Sequence, residues 1–229
     1  MWAASFDPVD FEQAFSFFRA RVVMSREAAD QLTLEARQRA FWVSHIAEAD
    51  VIQDVYGSLE RALTDGTTFE QFQDDVAADL LTRWVDDERV PNPLWRLETI
   101  FRTNLQTAYG AGRLEQLNDA AILRARPYWM YDALIDGRTS SICQEFSGTI
   151  LPADSPWWFS RFPPNHYNCR SSVRSLTQSQ VDARGGITQT PTAGNPNSDW
   201  RAMPSLEPFE LKTYSPEIAA IVEDKVTRP

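Results

Sequence analysis

Residues 126–176 read RPYWMYDALIDGRTSSICQEFSGTILPADSPWWFSRFPPNHYNCRSSVRSL, and the pattern is that of a small irregular β-unit. Tyr128 to Ile135 is rich in aromatic and branched side chains and ends at Asp136-Gly137. That dipeptide reverses the chain because glycine takes positive φ without steric cost. Gly148 and Pro152 bracket a short apolar run, Thr149-Ile150-Leu151. Pro163-Pro164-Asn165 forbids helix and delivers an extended chain into Cys169–Val173, whose branched end can return to the sheet. The expectation is a few short strands stapled by loops, with Trp157, Trp158, Phe159 and Phe162 as lids over a small core.

The same stretch gathers the residues that carry chemistry. Both cysteines, Cys143 and Cys169, lie in it beside His166, one of only two histidines. These three are soft or borderline ligands of the kind a zinc site uses, but a fourth is missing and Asp136 or water would have to serve. The expected state is therefore two buried thiols and a histidine satisfying loop carbonyls, with no metal and no cofactor. A Cys–His nucleophilic pair has no supporting sequence context around either cysteine. The chain also has no phosphate-cradling glycine loop, no His-Glu-x-x-His and no Gly-x-Ser-x-Gly. It reads as a protein without catalytic activity.

Working outward, 229 residues are enough for a real hydrophobic core. No run approaches the length of a membrane span and no charged-then-apolar leader opens the sequence, so a soluble protein made in cytoplasm is expected. Residues 1–90 hold 8 arginines and no lysine against 18 carboxylates, which accounts for the whole net charge of −10. An acidic half of this kind repels nucleic acid and suits a basic protein partner. A local positive surplus exists only through Arg138, Arg161, Arg170, Arg174 and Arg184, which read as solvated surface groups.

Apolar spacing predicts a helix over 7–23 through Phe11, Ala14, Phe15, Phe18 and Val22, and a long helix over 34–63 that ends at Asp65-Gly66. Thr68 with Gln71 forms a capping box that opens a third helix running to about Trp84. Residues 86–93 read as a linker, and 94–117 as a further helix interrupted at Gly110 and Gly112. There Ala108, Gly110, Ala111 and Gly112 would admit another backbone at close range. Beyond Thr177 the Pro- and Gly-rich chain reads as an arm or surface wrap, with a short helix after Ser215.

Four places together resemble the phage Mu F-like family of minor head (head morphogenesis) proteins. They are Asp10–Ala20; Arg39–Val43 with Gly66–Phe69; Ile100–Arg113, close to that family's arginine-threonine helix; and the ordered set Arg126–Trp129, Gly148–Pro152, Asp154–Trp157, Pro163–Asn165 and Cys169-Arg170. Many relatives end in Cys-Arg-Cys, where this chain has Cys169-Arg170-Ser171. The candidate structural motif is Arg102 and Thr103 on the helix, Asp136 and Arg138 at the turn, and Gly148, Trp157, Pro164, Cys169 and Arg170 in the β-unit. Glu98 or Asp136 is the expected counterion for the helix arginines.

The combined expectation is an α+β protein. Residues 1–90 form an acidic helical part, 91–126 a connecting helix, 127–176 the aromatic β-unit with antiparallel strands, and 177–229 an extended arm with a short terminal helix. The resemblance implies a structural minor head protein in the virion, inside the head near the portal vertex, needed for head assembly and associated with genome delivery. Its partners would be the portal protein ring and neighbouring head proteins, reached through exposed apolar helix stripes and the arm, with packaged DNA as a further contact and no membrane. A metal- or thiol-dependent hydrolase acting during assembly or entry is the alternative.

Overall fold

The computed structural model describes residues 11–33, 37, 39–43, 46, 49–84, 88, 90–192, 194, 196, 200, 203, 204 and 220. These divide into two compact units, one built from Phe15–Leu105 and the other from Gln106–Pro204 together with residues 11–14. The α+β class holds: long helices accompany a small antiparallel sheet. No described helix is long and apolar enough to cross a membrane.

Helix α1 is Phe11–Arg19, shorter than the periodicity predicts. Its apolar face is read correctly at Ala14 and Phe18, both fully buried. Val22, however, belongs to strand β1 (Val22–Val23), which pairs in parallel with β2 (Ala40–Phe41). Helix α2, Arg26–Asp30, lies between the two strands and is capped by Ser25. The expected helix over 34–63 is therefore wrong in its first part: Ala40 and Phe41 are strand, and helix α3 runs only over Ala49–Asp65. Backbone N–H groups of Val22 and Met24 bond to the Arg39 and Phe41 carbonyls at 2.8 and 3.0 Å, and this non-local pairing overrides a helical spacing. Gly66, at φ 70°, ends α3 as expected.

Helix α4, Phe69–Trp84, opens on the anticipated capping box: Thr68 N–H donates to Gln71 Oε1 at 2.9 Å and Gln71 N–H to Thr68 Oγ1 at 3.3 Å. Inside this unit Phe18 stacks on Tyr56 at 4.8 Å, and Phe41 meets Tyr56 edge-on at 5.3 Å. Arg21 is buried among these rings, its guanidinium donating to the Ala40 carbonyl at 2.6 Å and to Asn104 Oδ1 at 2.6 Å. Burial lowers its pKa to about 10. Gly57 sits in the middle of α3, where a Cβ would meet only Arg61 Nη1 at 3.8 Å. Gly57→Ala is accordingly expected to raise stability by about 0.5–1 kcal/mol, read from a urea midpoint.

Helix α5, Pro93–Leu117, runs unbroken through Gly110 and Gly112, correcting the expected interruption. Ala108 and Ala111 are fully buried, and the two glycines lie where other backbone comes close, as their size suggested. Helix α6, Ala120–Ala125, is capped by Asp119 and leads into the sheet. The sheet order is β4-β3-β5, with β3 Tyr128–Asp132 central, β4 Ile150–Pro152 and β5 Ser172–Leu176. Both pairings are antiparallel, Trp129 facing Leu151 on one side and Ser175 on the other. Gly148, at φ 79°, feeds β4 and donates its N–H to the Tyr131 carbonyl at 2.9 Å.

Trp129, Trp158 and Phe162 form the core of this unit in edge-to-face contacts at 5.6 and 6.0 Å. Trp157 is buried with them, but Phe159, expected as a lid, is 51% exposed. Two short helices went unread in the sequence: α7, Ser141–Phe146, and α8, Gln178–Asp182, the latter with a complete Thr177–Gln180 capping box. The described part of the arm wraps this unit. Thr188 exchanges hydrogen bonds with Ile150, Trp157 Nε1 donates to the Pro191 carbonyl at 3.2 Å, and Trp200 meets Tyr167 edge-on. The linker's Asp86-Asp87 and the helix expected after Ser215 lie outside the described residues.

Candidate functional site

The Ser140 hydroxyl caps α7 by accepting the Cys143 N–H at 3.3 Å, which sets Cys143 in the first turn with its thiol buried. A tight turn 23 to 26 residues after Cys143 places His166 and Cys169 together. The Cys169 N–H donates to the His166 carbonyl at 3.2 Å, and Asn168 takes the left-handed conformation at φ 57°, which asparagine tolerates better than most side chains.

The three candidate ligands therefore converge. Cys143 Sγ stands 3.2 Å from His166 Nε2 and 3.8 Å from Cys169 Sγ, and all three ligand atoms lie within 4.8 Å of one another. Both cysteines are free thiols. The His166 ring is oriented by its other nitrogen, since Nδ1–H donates to the Tyr167 carbonyl at 2.8 Å, while Ser140 Oγ lies 2.8 Å from Nε2. Donation from Cys169 pulls Cys143 below the ordinary thiol range, burial opposing, and the same contact together with burial pushes Cys169 up. Contact with Cys143 raises His166, again against burial.

A polar shell surrounds the trio, and sequence reading missed most of it. The Tyr131 hydroxyl is 3.4 Å from Cys143 Sγ and accepts from Asn165 Nδ2 at 2.8 Å. Ser171 is 2% exposed and favours the deprotonated forms of Cys143 and Tyr131 as a minor influence on each. The backbone amides of Asn165 and Ser171 weakly favour the Cys169 thiolate, against Cys143 and burial. Alternation along β3 was the available signal for Tyr131, because residues 129 and 131 share one face; Asn165 and Ser171 are marked only by the family-like motifs Pro163–Asn165 and Cys169–Ser171.

Asp136 does not join the trio. Its carboxylate accepts both terminal nitrogens of Arg170, at 2.7 and 2.6 Å, and the Arg138 N–H at 2.8 Å. The turn is thus an Asx turn closed by a two-pronged ion pair. Arg170 first, then the Arg138 amide, hold the Asp136 carboxyl well below the usual carboxylate range. A depressed acid contributes stability above its unfolded pKa and loses it as pH falls through the folded value. In an acid titration followed by carboxyl carbon NMR, Asp136 is expected to protonate after the ordinary aspartates. Asp136→Asn is expected to release Arg170 while the Arg138 amide stays protected from exchange.

The other motif residues occupy separate places. Arg102 is exposed and pairs with Glu98 at 2.6 Å, so Glu98 is its counterion and Asp136 is not. Thr103 is buried on α5. The bridges from α5 to the sheet side are made instead by Gln106 Nε2 to the Ser171 carbonyl at 3.1 Å and Arg113 Nε to the Val173 carbonyl at 3.0 Å. The Pro163–Pro164 pair packs on α5 at Gly110, where a Cβ would lie 3.0 Å from the Pro163 oxygen.

Residues 53–174 match the family described as Phage Mu protein F like protein. Protein F of Escherichia phage Mu, which is named for capsid assembly, is 33% identical over 187 residues, covering 76% of this chain and 42% of that protein. The Mu-like prophage FluMu F protein of Haemophilus influenzae is 34% identical over 159 residues, covering 66% of this chain and 38% of that protein. The chain spans about two fifths of the length of these curated relatives. No solved structure matches it. The family match begins within α3, takes in all of α4, α5 and the ligand-bearing loops, and ends within β5, so this chain belongs to the Phage Mu protein F like protein family.

Proposed function

We propose that this chain is a structural component of phage head assembly, made in the host cytoplasm and held inside the head near the portal vertex. In that place it contacts the portal ring and neighbouring head proteins and takes part in genome delivery. The observation that carries the reading is the alignment of 76% of the chain with a phage Mu protein named for capsid assembly. The site supports a non-catalytic role, because both thiols are 2% exposed and offer a substrate no access.

Much of the helix stripes expected as contact surface packs inside the chain. Phe18, Ile52, Val55, Leu59, Phe72 and Leu80 are buried within the chain. Large apolar side chains are exposed at Leu94 and Trp95 at the start of α5 and at Leu134, Ile135, Phe159 and Tyr167 around the sheet, and these are what a head partner would cover. Arg161, Arg170, Arg174 and Arg184 all have local partners, so DNA contact is secondary in this reading.

Labelling the chain in assembled heads tests the proposal. Density confined to the portal vertex is expected, and even distribution over the shell would refute it. A thiol hydrolase is the second reading, favoured only by the 3.2 Å Cys143–His166 contact. Turnover by purified protein that disappears in Cys143→Ser would establish it.

A further inference from the structure

We infer that Cys143, His166 and Cys169 form a Zn²⁺ site, with water at the fourth position beside Ser171. This goes beyond the assembly role and does not depend on it, and it replaces the reading of the trio as plain core.

The sulfur spacing is that of two thiolates on one ion. A tetrahedral zinc with Zn–S bonds of about 2.3 Å holds two thiolates about 3.8 Å apart, and the Cys143–Cys169 sulfur separation is 3.8 Å. A disulfide needs about 2.05 Å. His166 is set up as a ligand, with Nδ1–H committed to the Tyr167 carbonyl and the Nε2 lone pair turned toward Cys143. Zinc-ligating histidines are commonly held by such a second hydrogen bond.

Cys169 is 2% exposed and its N–H is tied to the His166 carbonyl at 3.2 Å, so the turn holds its sulfur on the same side as the imidazole. Two sulfurs and one imidazole select zinc over magnesium or calcium, which prefer oxygen. Two thiolates also neutralise the ion, so the buried site carries no net charge. Zinc would tie α7 to the 166–169 turn, which β4 and the 3₁₀ turn at Pro156–Ser160 separate from it in sequence.

Ser171 marks the open position. It is 2% exposed and two residues from Cys169, so Ser171→Cys is expected to supply a third sulfur and close the coordination. Zinc transfer to a competing chelator should then slow by roughly tenfold or more.

The test uses the full, tag-free chain, reduced, loaded with Zn²⁺ or Co²⁺ and desalted. About one metal per chain is expected, together with sulfur-to-cobalt charge-transfer absorption and the visible bands of tetrahedral cobalt. Both should be lost in Cys143→Ser and Cys169→Ser, and weakened in His166→Asn with helix content unchanged. Wild-type chain that keeps no metal while both thiols react freely would overturn the site. So would a Cys143–Cys169 disulfide formed in air with no metal uptake after reduction.

Discussion

Trp129→Ala is expected to destabilise the sheet-bearing unit by about 3–5 kcal/mol. Trp129 lies on the central strand, is 1% exposed, and meets Trp158 and Phe162 edge-on. Truncation would remove the ring on which the other two pack, in a small unit whose strands are only three to five residues long. Against a typical total stability of about 5–15 kcal/mol, a loss of that size should appear as aggregation on expression or as a collapsed urea midpoint. Trp129→Phe is the informative control. It keeps an aromatic ring in place and deletes an indole N–H that finds no acceptor among the described residues, so it should cost much less. Equal losses in the two variants would mean that the ring contacts are not what stabilises the core.

Gly112→Ala is expected to destabilise by about 1–3 kcal/mol, although helix propensity alone predicts a gain of about 1 kcal/mol. The added Cβ would lie 2.8 Å from the Ala14 nitrogen and 3.1 Å from its Cα, and backbone atoms of a packed helix cannot move aside as a flexible side chain can. Gly57→Ala makes the same chemical change with room around it. The two substitutions should therefore shift the denaturation midpoint in opposite directions. If Gly112→Ala stabilises as Gly57→Ala does, the close approach of α1 to α5 is not real.

Local signals with a short-range physical cause were legible. The Thr68–Gln71 box, the Gly66 stop, the strand at Tyr128–Asp132 and the small-residue run on α5 each depend on neighbours within a few positions. The misreadings share a different cause. Val22 and Phe41 fit a helical spacing, yet Val22 pairs with Ala40 and Phe41 with Val23, each across seventeen intervening residues. Phe159 has the composition of a lid but faces solvent, because the 3₁₀ turn at Pro156–Ser160 points its neighbours Trp157 and Trp158 inward. The helix at Ser141–Phe146 is too short for periodicity to reveal, and its capping serine is recognisable only once the fold is known.

The amino-acid sequence alone determined the family, the α+β class and the identity of the three soft side chains, since composition and ordered motifs need no third dimension. Which side chains meet was decided by the tertiary structure. The Cys143 thiol finds His166 and Cys169, while Asp136, equally available by type, turns to Arg170. The reason is that the strand register and the 166–169 turn fix where each loop closes, and a few ångströms of loop closure separate a ligand from a turn residue.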